Sequence, residues 1–84
     1  MKPIRYEKAA AKSLRRMQRQ VAQRILDKIA AWAADPTSVD QNVTEMKGRP
    51  GVVRLRVGDH RVLIREVEDA VQVLDIGPRG GIYD

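Results

Sequence analysis

Cysteine is absent from the 84 residues, which excludes a disulfide, a thiolate nucleophile and a thiolate metal site. A single histidine, His60, leaves no histidine-based metal cluster. No apolar run approaches the roughly 20 residues that a membrane-spanning helix needs, and nothing resembles a secretory signal. The expectation is a cytoplasmic protein that works without metal, cofactor or membrane. Low-complexity tracts are missing too, and an apolar fraction of 43% is enough for a globular fold. The length fits one domain, 1–84. A chain this short buries only about 60% of the surface its unfolded form exposes, so it is marginally stable alone. A tight partner that binds only the folded form would stabilise it.

What the chain has in excess is positive charge: sixteen Lys and Arg against eleven Asp and Glu, a net +5. That balance suits nucleic acid, an acidic protein or an anionic surface. The excess is segregated. Nine basic and two acidic residues lie between Met1 and Ala30, and six basic and one acidic between Lys47 and Arg65.

"KPIRY" reads as a short strand with Ile4 and Tyr6 on one face and Arg5 on the other. From Glu7 to Ala34 the period becomes helical. Ala10, Leu14, Met17, Val21, Ile25, Ile29 and Trp32 recur every three or four residues and form one apolar stripe, with cations mostly on the other faces. The pattern fits one long helix or a helical hairpin broken near Gln18 to Gln20, since no Gly or Pro marks a break. Asp35-Pro36 ends it, because the residue before proline is steered out of the α region. Thr37 to Gly51 is expected to be a connection. Three β runs follow, Val52–Val57, His60–Val67 and Ala70–Ile76, and the tail "GPRGGIYD" leaves the sheet. The fold class is therefore α+β: an N-terminal strand, helices, then an antiparallel three-stranded meander, with the helices on one face of a small sheet.

Gly58-Asp59 is a two-residue hairpin turn with Gly where a type II′ turn needs positive φ. It pairs Val57 with His60, Arg56 with Arg61, Arg54 with Leu63 and Val52 with Arg65. Because side chains alternate, Arg54, Arg56, Arg61 and Arg65 share one face. Val53, Leu55, Val57, Val62 and Ile64 share the other, which packs on the helices. Two cations directly opposite destabilise a sheet by a few tenths of a kcal/mol to about one. A solvated face would do better with mixed charge; guanidinium forks suit phosphate, and repulsion turns to attraction when a polyanion arrives. Lys47 and Arg49 extend a phosphate track or are solvated loop residues. The turn at Glu68-Asp69 does not fix the register of the last strand, so Asp75 is left on either face.

These residues resemble the RelE/ParE superfamily of bacterial toxins over essentially the whole chain. The resemblance rests on "YEKAAAKSLRRM", "AADP", "MKGRPGVVRLRVGDHRVLI" and "VLDIGPRGGIYD". It implies a compact sheet with an N-terminal helical hairpin and a toxin held by an acidic, partly disordered antitoxin in a hetero-oligomer. RelE-like members cleave mRNA in the ribosomal A site without a metal, the 2′-hydroxyl attacking the adjacent phosphate. ParE-like members instead poison DNA gyrase. Arg54, Arg56 and Arg61 match the basic residues of the RelE-like catalytic strands, and Arg79 and Tyr83 match the C-terminal Arg and Tyr. The resemblance thus implies a ribosome-dependent endoribonuclease with these five residues catalytic and Lys47, Arg49 and Arg65 binding RNA. The alternatives are a gyrase poison, or a non-catalytic basic domain acting only with its antitoxin.

Two departures stand out. Characterised RelE enzymes carry lysines where this chain has Arg54 and Arg56, and one of those lysines is the proposed base. Arginine holds its proton too firmly for that task. The Arg79–Tyr83 spacing is also short, with two glycines. His60, the one imidazole in the chain, is the secondary candidate base, although the hairpin pairing puts it on the helix-facing side.

Overall fold

The apolar stripe of the N-terminal half folds as two helices. A computed structural model describes residues 2–35, 43–78 and 80. Strand β1 (Ile4–Tyr6) leads into α1 (Lys8–Arg16) and α2 (Arg19–Ala34). The helical run breaks at Met17 and Gln18, both of which adopt extended backbone angles (ψ 157° and 145°). The hairpin alternative therefore holds, without glycine or proline. Burial supplies the reason: Ala10, Ile25, Ile29 and Trp32 are buried, and Leu14, Met17 and Val21 pack against the same core. One straight helix would carry one end of that stripe off the small sheet. Arg15 and Arg16 occupy the last turn of α1, where cations complement the helix dipole.

Four further strands follow: β2 (Val43–Glu45), β3 (Val52–Val57), β4 (His60–Val67) and β5 (Ala70–Pro78). They form one sheet in the order β1-β5-β4-β3-β2. β1 lies parallel to β5, and the other pairings are antiparallel. Two expectations need correction. Val43–Glu45 lies inside the segment read as connection; it is an edge strand, with Val43 opposite Leu55 and packed on the core. A three-residue strand with one half-buried apolar residue has too short a pattern to announce itself. Gly77 and Pro78 also stay in the sheet, at its edge-ward end, opposite Arg61 and His60.

The β3–β4 register is the one the turn dictates, from Val57↔His60 to Val52↔Arg65. Gly58 has φ +59°, the sign required of the first central residue of a II′ turn. Leu55, Val57, Val62, Ile64, Val71, Val73 and Ile76 form the sheet side of the core beneath the helices. α1 packs on β5 and α2 on β3. At the other end, Lys2 Nζ donates to the Val67 carbonyl at 2.8 Å and pairs with Glu66 at 3.2 Å, holding the N-terminus to the sheet.

The β4–β5 ladder shifts register between Leu63 and Ile64: Ile64 pairs with Val73, but Leu63 pairs with Asp75. Leu74 is thus the extra residue of a β-bulge. Val71, Val73 and Ile76 all face the helices, a spacing of two and then three that only an inserted residue reconciles with strand alternation.

Candidate nucleic-acid interface

With one face committed to the helices, cross-strand pairing defines rows on the other. Arg56, Arg61 and Gly77 form one row. Thr44, Arg54, Leu63 and Asp75 form the next. Val52, Arg65, Gln72 and Arg5 form a third. Arg54, Arg56, Arg61 and Arg65 therefore share one face, and Arg5 joins them from the far edge.

The face is not a plain solvated carpet, for Leu63 and Val52 on it are 1% and 2% exposed. Apolar burial among the arginines gives the surface a low-polarity floor, which strengthens charge interactions made above it.

Arg56 is exposed, and Arg54, Arg61 and Arg65 are half-buried. Arg61 curls over its own turn, Nη1 donating to the carbonyls of His60 (3.1 Å) and Gly58 (3.3 Å). These contacts hold one guanidinium at the hairpin end beside Arg56. Such a pair can grip two oxygens of a phosphate, which neither arginine alone surrounds.

Asp75, left open by the sequence, lies on the arginine face because the bulge turns it there. Its Oδ1 accepts the Ile76 N–H at 2.8 Å. The signal that finds it is the broken alternation of Val71, Val73 and Ile76, not the turn. Arg5 and Thr44 are further members of this face that strand-by-strand reading does not bring together with the hairpin.

Other candidates fall elsewhere. His60 sits on the helix side, half-buried, and lines a cavity of about 220 Å³ with Val21, Arg24, Ile25 and Val57. Arg49 lines a separate cavity of about 340 Å³ with Trp32, Glu45, Met46 and Glu66, also on the helix side. It does not join the arginine rows. Lys47 is exposed in the turn after β2. Arg79 and Tyr83 lie outside the described residues. Tyr6, at the β1 edge, has its phenol pKa pushed above the ordinary value by burial. Among the described residues no three His, Asp or Glu side chains converge as metal ligands do, and no helix is long and apolar enough to cross a membrane.

A helical hairpin covering one face of a five-stranded mixed sheet, whose other face gathers arginines, defines a small α+β protein with a basic sheet face. The profile of the family described as the ParE toxin of type II toxin–antitoxin systems, parDE, matches residues 4–83. The chain belongs to that toxin family. No curated protein matches significantly. Solved structures match in fold. The toxin of the archaeal RelE–RelB complex from Pyrococcus horikoshii OT3 superposes with a TM-score of 0.79 at 21% identity, covering 95% of this chain and 97% of that one. For the intact E. coli RelBE complex the values are 0.77, 16%, 93% and 96%. For the RelB–RelE complex of Methanococcus jannaschii they are 0.73, 23%, 95% and 95%.

Proposed function

We propose that the chain is one toxin domain, 1–84, acting in the cytoplasm as a ribosome-dependent endoribonuclease that cleaves mRNA in the A site. The observation that carries this reading is the convergence of Arg54, Arg56, Arg61 and Arg65 on one face with a buried apolar floor. In-line transfer needs the equatorial phosphate oxygens neutralised as the 2′-oxygen attacks and the 5′-oxygen departs. Arg56 and Arg61 grip the phosphate, Arg54 and Arg65 hold the flanking backbone, Arg79 stands near the leaving oxygen, and Tyr83 stacks on a base. Phosphate neutralisation by fixed guanidinium groups requires no metal. A cognate acidic, partly disordered antitoxin would cover the same face in the resting state; several RelE structures similar in fold are of complexes with RelB.

Induction of the protein should arrest growth and produce primer-extension stops within translated codons. Arg61→Ala and Arg79→Ala should abolish both, and His60→Ala should preserve them. Full toxicity of the two arginine variants would sink the catalytic reading.

A second reading has its own support. The family match is to ParE toxins, and the ParE-like gyrase poison is a protein-binding inhibitor. It requires DNA-damage induction with intact mRNA, so the same induction experiment separates the two.

A further inference from the structure

Every strand position on the arginine face is basic, neutral or apolar except one. Asp75 is the sole carboxylate there among the described residues, and the bulge at Leu74 is what turns it out of the core. Were the alternation regular through Leu74, Asp75 would have the parity of Val71 and Val73, both buried under the helices. The fold thus spends an irregular strand to bring an acidic group among cations. Oδ1 accepts the Ile76 N–H and steadies the bulge. Among the described residues Asp75 takes part in no ion pair, although it is half-buried on a face of arginines.

Its position relative to the arginines follows from the register. Asp75 is directly opposite Leu63, one strand or about 5 Å away. Arg54 stands beyond Leu63 in the same row, about 10 Å off. Arg61 is the diagonal neighbour, at about 7–8 Å between backbones. An RNA strand running from the Arg56–Arg61 pair along β5 would carry the ribose adjoining the gripped phosphate toward Asp75.

We infer that the Asp75 carboxylate is the proton acceptor for the attacking 2′-hydroxyl, an inference that rests on the ribonuclease reading above. Guanidinium groups hold their protons too firmly to serve, whereas a carboxylate within hydrogen-bond reach can. The 2′-oxygen forms a bond to phosphorus as its proton passes to Asp75. The bond from phosphorus to the 5′-oxygen breaks, and a water molecule supplies that oxygen with a proton. The products are a 2′,3′-cyclic phosphate and a 5′-hydroxyl, and Asp75 returns its proton to solvent.

The test is single-turnover cleavage of mRNA on programmed ribosomes by the full chain, released from its antitoxin. Asp75→Asn retains an amide oxygen for the Ile76 N–H, so the bulge persists. It should slow cleavage by about 100-fold or more while the thermal midpoint stays unchanged. Asp75→Glu should recover part of the rate. If Asn disturbs the thermal transition, Asp75→Ser, which also keeps a local acceptor, replaces it under the same criterion. Cleavage by the Asn variant within about threefold of the unmodified chain overturns the inference and leaves the ribonuclease reading standing. So does a change in the nucleotide preferred with no loss of rate at the best site. An unmodified chain that cuts no RNA overturns both.

Discussion

Arg56 and Arg61 stand directly opposite each other across β3 and β4, an arrangement of like charges that disfavours the folded protein and that a bound anion would relieve. Removing one charge should therefore separate stability from function. Arg56→Ala is expected to leave unfolding free energy unchanged or raise it, by a few tenths of a kcal/mol to about one, while abolishing growth arrest. Urea unfolding of the two proteins, beside an induction assay, measures both effects. At the opposite edge, the Tyr6 phenol is raised above its ordinary value of 10.0 by burial. The unfolded chain then ionises first, so Tyr6 contributes stability that is fully present below about pH 10 and is lost as pH rises through its folded pKa. Tyr6→Phe should match the unmodified protein at neutral pH and lose less thermal stability above pH 10.

Turn geometry, more than composition, sets which side chains meet. Gly58 fixes the β3–β4 register through its φ of +59°, and a Cβ there would meet only Arg24 Nη1 at 3.9 Å, an ordinary contact. The cost of Gly58→Ala therefore comes from the backbone, about 1–2 kcal/mol, read as a lower urea midpoint with unchanged slope. The bulge in β5 can be probed by subtraction. Deleting Leu74 joins Val73 to Asp75, and their partners Ile64 and Leu63 are already adjacent on β4. A regular ladder results, with Val71, Val73 and Ile76 still under the helices and Asp75 still facing the arginines. The deletion should fold with a thermal midpoint within about 10 °C of the original. Loss of the cooperative transition would show that the twist the bulge adds is itself required.

At the scale of the whole molecule, the net charge of +5 is divided by the sheet, with the arginine rows on one side and the cations of α1 and α2 on the other. Binding of single-stranded RNA should weaken steeply with salt, because each neutralised phosphate releases about 0.7 counterion. Arg65→Ala should flatten the slope of log affinity against log salt by about 0.7, whereas Lys12→Ala, on the helix layer, should leave it unchanged. An equal flattening by both would mean that RNA does not choose between the two faces.

Alternation and turn chemistry are local, so the sequence by itself determined the hairpin register, the shared face of Arg54, Arg56, Arg61 and Arg65, and the burial of Leu55, Val62 and Ile64 opposite them. The helical stripe was equally legible, because Ile25, Ile29 and Trp32 recur at helical spacing. Only the tertiary structure decided the break at Met17, since folding the stripe back over a small sheet is a demand of packing and no local residue encodes it. The same holds for Val43–Glu45, whose strand conformation comes from pairing with β3. It holds most for Asp75. Its side was settled when Val73 and Ile76 both had to reach one core, and the strand took up an extra residue to let them.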